Sequence, residues 1–134
     1  GLNQFQSTYT TASGWTPAFM SFLFGARGEQ NVYLMDFDNG LAANDALCRL
    51  SFGTLGGNPI WTGAEADRPC GAGLGLDEVG IAGGDSGGPS FIGGRIAGVT
   101  SFGQTWGIGT FGDVRAGLNS SFGELGGMTR VDLN

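Results

Sequence analysis

The sequence predicts an all-β fold, and three observations predict it. Gly occupies 28 of the 134 positions, and because an interior helical Gly costs about 1 kcal/mol relative to Ala, the chain cannot be dominated by long helices. Hydrophobic residues make up 40% and aromatic residues 11%, which is core material that disordered chains lack. The apolar residues fall in short runs separated by Gly and charged residues, the pattern of strands joined by turns. At 13.7 kDa the chain is expected to form a single domain over residues 1–134, with no room for a second.

Taken in order, residues 1–14 are polar, with Gln4, Gln6 and alternating Thr and Tyr, and read as an exposed or edge strand. Ala18–Phe24 (AFMSFLF) and Asn31–Phe37 (NVYLMDF) read as two core strands joined by a hairpin. Asp38-Asn39-Gly40 turns the chain, and Leu41–Leu50 has the only locally helical composition, interrupted by Asn44 and Asp45. Gly53–Gly75 is Gly- and Pro-rich and reads as a long irregular stretch, of the kind that is usually functional or constrained. Ser90–Ile92 and Arg95–Ser101 form a hairpin across Gly93-Gly94, two residues that adopt positive φ freely. The tail from Phe102 to Gly127 repeats Gly around Trp106, Ile108, Phe111 and Phe122, and a last strand is expected at Met128–Leu133.

Charge narrows the function. The net charge is −6, all six cations are Arg and Lys is absent, so there is no basic stripe to neutralise phosphates and nucleic acid is a poor partner. The six, Arg27, Arg49, Arg68, Arg95, Arg115 and Arg130, are scattered and read as solvated or ion-paired. The longest apolar run, near Ala18–Phe24, is far shorter than the roughly 20 residues of a membrane helix. Gly1 is not a start-codon product, and a processed chain or a fragment is expected. His is absent, which removes every His-based general base or metal ligand from these residues. Cys48 and Cys70 are too few for a Cys₄ zinc site. They read either as a disulfide, which would argue for export, or as two buried thiols. Asp36, Asp38, Asn39, Asn44 and Asp45 form an acidic cluster whose spacing fails the EF-hand pattern. Turn-forming or capping carboxylates are the first reading of it, and a Ca²⁺ site is the second. Trp15, Trp61, Trp106 and the ten Phe are read as core and loop anchors.

One segment carries chemistry. Gly84-Asp85-Ser86-Gly87-Gly88-Pro89 has a chance occurrence on the order of one in ten thousand for this composition. A nucleophilic Ser needs an exposed Oγ and two backbone N–H groups aimed at a developing oxyanion, and flanking Gly residues permit that turn. Ser86 is the candidate nucleophile, with the oxyanion hole formed by the amides of Gly84 and Ser86.

From here the sequence resembles the second half of a chymotrypsin-like (trypsin-family) serine endopeptidase, over Val79–Val131. After the nucleophile loop, Ile96-Ala97-Gly98-Val99-Thr100-Ser101-Phe102-Gly103 is similar to the family strand that ends in Ser-Trp-Gly, with Phe replacing Trp. Gly127-Met128-Thr129-Arg130-Val131 is similar to its final strand, although the family's C-terminal helix has no room before Asn134. Asp36–Gly40, Asn44-Asp45-Ala46 and Ile81-Ala82-Gly83 look like a bacterial exported subgroup.

The resemblance implies a six-stranded antiparallel Greek-key barrel, the C-terminal half of a double barrel, with Gly1 near the junction. It implies that Asp85 orders the loop by pairing with a new chain terminus or another cation. It places Gly80 at the base of the specificity pocket, Gly83, Ser101 and Phe102 along the substrate, and Gly103 and Gly126 on the pocket walls. The pocket would be open and uncharged and would favour a bulky apolar or aromatic residue. Ala82 stands where animal members often have Cys, and Cys48 and Cys70 correspond to another bridge of this barrel. In the family, His and the triad Asp come from the N-terminal barrel, so a companion chain would have to supply both. The function implied is peptide-bond hydrolysis outside the cytoplasm (secreted, periplasmic or at the cell surface), without a cofactor or metal. Two other classes remain open on the residues alone: a peptide-binding pseudo-protease module, and a Gly-rich secreted structural or adhesive domain.

Overall fold

A computed structural model describes residues 2–8, 13–24, 32–71, 73–105 and 112–131. Its centre is an antiparallel sheet of five strands. In chain order these are β1 (Ser7–Thr8), β2 (Val32–Phe37), β5 (Pro89–Ile92), β6 (Arg95–Gln104) and β7 (Glu124–Arg130), and a separate pair is formed by β3 (Thr54–Leu55) and β4 (Asn58–Pro59). The spatial order is β1-β2-β7-β6-β5. The mostly-β expectation therefore holds, but among the described residues the sheet does not close into a six-stranded barrel, because its edges β1 and β5 do not pair.

The hairpin across Gly93-Gly94 forms as expected, with Ile92 opposite Arg95 and φ of 56° and 78° at the two Gly residues. The final strand begins earlier than expected, at Glu124, so that Phe37 pairs Glu124 and Val32 pairs Thr129 along all of β2. Of the polar N-terminal segment, the described residues show a strand at Ser7–Thr8 at the sheet edge, paired to Leu34 and Tyr33.

Ala18–Phe24 is not a strand. Pro17–Phe24 forms helix α1, which also removes the hairpin expected between it and β2. Pro17 stands at the helix start, where its missing N–H is harmless and its φ is already helical. Thr16 caps the first turn, its Oγ1 accepting the Phe19 amide at 3.4 Å. Phe19, Met20 and Leu23 face the core while Phe22 is left exposed. The buried set follows i, i+1, i+4, a helical stripe hidden in the sequence by the apolar residues at 18 and 22.

Helix α2 (Ala46–Ser51) lies within the stretch of helical composition. Asp45 opens this helix rather than interrupting it: its Oδ1 accepts the Cys48 amide at 3.0 Å and its Oδ2 the Gly71 amide at 2.9 Å. The Cys48–Cys70 disulfide forms, with Cα atoms 4.4 Å apart. Residues 53–75 are less irregular than expected, because Gly56 and Gly57, both at positive φ, turn β3 into β4, and short 3₁₀ turns follow at Glu65–Asp67 and Gly75–Asp77.

The core packs α1, α2 and the β3–β4 region against β2 and β7, through Trp15, Phe19, Leu34, Leu47, Leu50, Ile60, Trp61 and Leu125. Trp15 and Trp61 meet edge to face at 5.1 Å, the anchoring role expected of them. A Cβ at Gly14 would fall 2.6 Å from the Trp61 ring, so that close approach requires Gly. Trp106, Ile108 and Phe111 lie outside the described residues, as does Arg27. Arg68 pairs with Glu65 at 2.8 Å and also sits over the Phe52 ring. Among the described residues no helix is long and apolar enough to cross a membrane.

Candidate active site

The stretch that follows the second 3₁₀ turn is built almost entirely of short turns. Val79 is anchored by donating its amide to the Leu2 carbonyl at 2.9 Å. Ala82–Asp85 closes on itself: the Asp85 amide donates to the Ala82 carbonyl at 3.1 Å, and the Ala82 amide donates to Asp85 Oδ2 at 2.9 Å. Gly84 holds φ 105°, a conformation any side chain would strain. The next turn is closed by the Gly88 amide on the Asp85 carbonyl at 2.9 Å. Two further bonds lash the loop to β6, from the Gly87 amide to Thr100 O and from the Thr100 amide to Gly88 O, both 2.9 Å. Pro89 then starts β5.

Ser86 is left exposed between these two sets of bonds. Among the described residues the amides of Gly84 and Ser86 have no acceptor, so both remain free to receive a ligand oxygen. The Asp85 carboxylate meets the Ala82 amide rather than a cation, and Gly1 lies outside the described residues.

Two cavities share Ser86. The larger, about 840 Å³, runs over Gly80, Gly84, Asp85 and Ser86 and is bounded by the exposed apolar side chains of Leu2, Val79 and Phe91. The smaller, about 370 Å³, is lined by Ile81, Ala82, Gly83, Thr100, Phe102 and Gly103 on one side and by Leu118, Asn119 and Ser120 on the other, with no charged residue. Gly83, Phe102 and Gly103 are thus brought together beside Ser86. Gly80 lines the larger cavity with Ser86 and, together with Gly126, borders a narrow cleft of about 10 Å³, Gly80 against the Phe37 ring and Gly126 against Met35 and Ile81; neither lines the smaller pocket. Ile81 lines both spaces and stands between Gly126 and the pocket. Ser101 sits at an irregularity of the β6–β7 ladder and bonds Thr129, outside both cavities.

The far wall, Leu118–Ser120, is one that sequence reasoning missed. It is held by buried Glu124, whose Oε1 accepts the Asn119 amide at 2.7 Å and whose Oε2 accepts the Ser120 amide at 2.8 Å. Buried Asp113 supports the same segment by accepting from the Arg115 amide, Ser121 Oγ and Thr105 Oγ1. The contacts span only four and five residues, but the irregular stretch around them has no periodicity that would signal such a wall.

The acidic residues ahead of α2 divide by role. Asp38 Oδ1 accepts the Gly40 amide, Asn39 Oδ1 the Leu41 amide, and Asp45 caps α2, as turn-forming residues do. Asp36, buried as fully as Asp38, instead reaches away from its own turn and accepts the Leu47 amide at 3.2 Å. Glu78, which the sequence did not single out, joins it, and one carboxylate oxygen from each of Asp36, Asp38 and Glu78 lies within 4.8 Å of the others. Burial pushes the Asp36 carboxyl up to about 8, against the Leu47 amide and with help from the charges of Asp45, Asp38 and Glu78. Burial raises Asp38 and Glu78 as well. None of the three lines the cavities at Ser86.

Comparison of the chain with family models, with curated proteins and with solved structures returns no match.

Proposed function

We propose that this chain is the nucleophile-bearing half of a serine endopeptidase of the trypsin-like type. The observation that carries the reading is Ser86 itself: an exposed residue on a turn fastened to β6, beside two amides with no acceptor among the described residues, at the meeting of two cavities. Donors held in place before reaction are what stabilises an oxyanion, because they need no reorganisation as charge develops. Attack by Oγ on a substrate carbonyl would form an acyl-enzyme, which water then hydrolyses. The pocket of about 370 Å³ without charged lining suits a bulky apolar residue on the acyl side of the scissile bond.

These 134 residues contain no His, so the general base and its carboxylate partner come from outside them, on a companion barrel. The exposed Leu2, Val79 and Phe91 around the larger cavity form an apolar rim against which such a companion would pack. In that assembly this sheet is the C-terminal member of a Greek-key double barrel. The Cys48–Cys70 disulfide supports an extracytoplasmic location.

The test is a fluorophosphonate probe applied to the mature protein with its companion present, the adduct being located by mass spectrometry. Modification at Ser86, and loss of both modification and peptide hydrolysis in Ser86→Ala, are expected. Hydrolysis retained by Ser86→Ala would refute the nucleophile, and a mature assembly that binds peptide without reacting would make the chain a binding module.

A further inference from the structure

Asp36, Asp38 and Glu78 are 0%, 0% and 4% exposed, and each accepts from backbone amides: Asp36 from Leu47, Asp38 from Gly40, and Glu78 from Asp38 with Leu74 nearby. The other oxygen of each, Asp36 Oδ1, Asp38 Oδ2 and Glu78 Oε1, is buried with no hydrogen-bond partner. Leaving even one buried acceptor unmade costs roughly 1–3 kcal/mol, and clustered buried carboxylates must either take up protons or hold a counter-charge. Among the described residues no ion pair reaches them. Protons on the carboxyls can bridge these oxygens when no cation is present, and a cation that displaces them satisfies all three at once.

We propose that Asp36, Asp38 and Glu78 bind one Ca²⁺ ion. The donors are all oxygen, as a hard cation requires, and both Cys are in a disulfide, which leaves nothing for a softer metal. Two oxygens on opposite sides of Ca²⁺ stand about 5.2 Å apart at most, so ligand atoms within 4.8 Å of one another can share one ion. The cradle is also kept open by a residue without a side chain. Gly73 sits at φ 52°, and a Cβ there would lie 2.4 Å from Glu78 Oε1, one of the three orphaned atoms. Mg²⁺ fits less well, because it demands a near-ideal octahedron and gives up its waters reluctantly, which a closed cluster does not favour.

The ion would add to the contacts between two parts of the chain that already meet through the Asp38 amide on Glu78, the Phe37 ring on Gly80 and the Asn3 side chain, which bonds the carbonyls of Asp36 and Val79. Asp36 lies at the end of β2 and Asp38 just past it, and Glu78 directly precedes Val79 and Gly80, which border the cavity at Ser86. Calcium is therefore a positioning ion for the start of the nucleophile loop, and the site stands whether or not Ser86 is a nucleophile.

The experiment uses the full chain stripped with EDTA and titrated with CaCl₂ by calorimetry, with Tm measured in EDTA and in about 1 mM Ca²⁺. One ion per chain and a higher Tm with Ca²⁺ are expected. Glu78→Gln and Asp38→Asn should each weaken binding by about tenfold or more, and Gly73→Ala should weaken it without touching a ligand. Glu65→Gln, at an exposed carboxylate on the Arg68 pair, should leave it unchanged. An absence of both heat and Tm shift in the wild-type chain overturns the proposal whatever the variants do. Undiminished binding in folded Glu78→Gln and Asp38→Asn overturns it too, as does Mg²⁺ binding as tightly as Ca²⁺.

Discussion

Replacing Glu124 by Gln tests how the pocket wall opposite Gly103 is held. Glu124 is 4% exposed and engages both oxygens, Oε1 with the Asn119 amide at 2.7 Å and Oε2 with the Ser120 amide at 2.8 Å. Gln has the same shape but one acceptor, so its NH₂ is turned toward one of two donors. Losing one charge-assisted bond removes about 1.5–3 kcal/mol, and making the other neutral removes roughly 1 kcal/mol more. Relief of the desolvation of a buried carboxylate offsets part of this. The expected net loss is about 2–4 kcal/mol, concentrated at the wall. Ser120 adds a second handle, since it holds φ 59° without being Gly, a conformation that disfavours an L side chain by about 1–2 kcal/mol. Ser120→Gly relieves that conformation while deleting the bond from Ser120 Oγ to the Ile81 carbonyl at 3.1 Å, and because Glu124 holds the Ser120 amide the two changes should be non-additive. The assay is equilibrium urea unfolding of the four proteins, comparing midpoints at unchanged m. A loss below about 0.5 kcal/mol for Glu124→Gln, or additive effects of the two changes, would refute the idea that Glu124 holds the wall.

Other consequences can be checked in the same way. The disulfide closes a separation of 22 residues, so Cys48→Ala with Cys70→Ala should lower stability by about 3.4 kcal/mol on the chain-entropy relation, read as a lower urea midpoint. Gly127→Ala would place a Cβ 2.2 Å from the Phe102 ring; a loss of about 1–3 kcal/mol from overpacking is expected, with proteolysis at β6 as a second readout. Leu47 is fully buried between α2 and β2, and Leu47→Ala should cost about 2–5 kcal/mol in thermal unfolding. Ser86→Ala removes an exposed hydroxyl and should leave stability within about 0.5 kcal/mol, so loss of hydrolysis in that variant is chemical rather than structural.

What could be read from the chain itself was whatever depends on neighbours in sequence. Two Gly residues between apolar runs specify the β5–β6 turn because positive φ is a local demand. Asp45 caps α2, and Gly84 and Gly87 shape the turns around Ser86, for similarly local reasons. The disulfide was legible because only two Cys were present to pair. Helix α1 was misread because apolar residues at 18 and 22 blurred its period, and the choice between helix and strand fell to what Phe19, Met20 and Leu23 could be buried against.

The rest belongs to the tertiary structure. Sheet order, and the open edges at β1 and β5, arise from pairings between strands far apart in sequence. The pocket wall at Leu118–Ser120 lines Ser86's cavity because Leu118 packs against Gly103 and Ser120 bonds the Ile81 carbonyl, 39 residues away, and the carboxylate cluster exists because Glu78 arrives 40 residues after Asp38 and lies against its amide. Whether an acidic side chain is a solvated surface group or a buried ligand is decided by what packs over it. That is a property of the folded chain, and no local pattern around Asp36 or Glu78 encodes it.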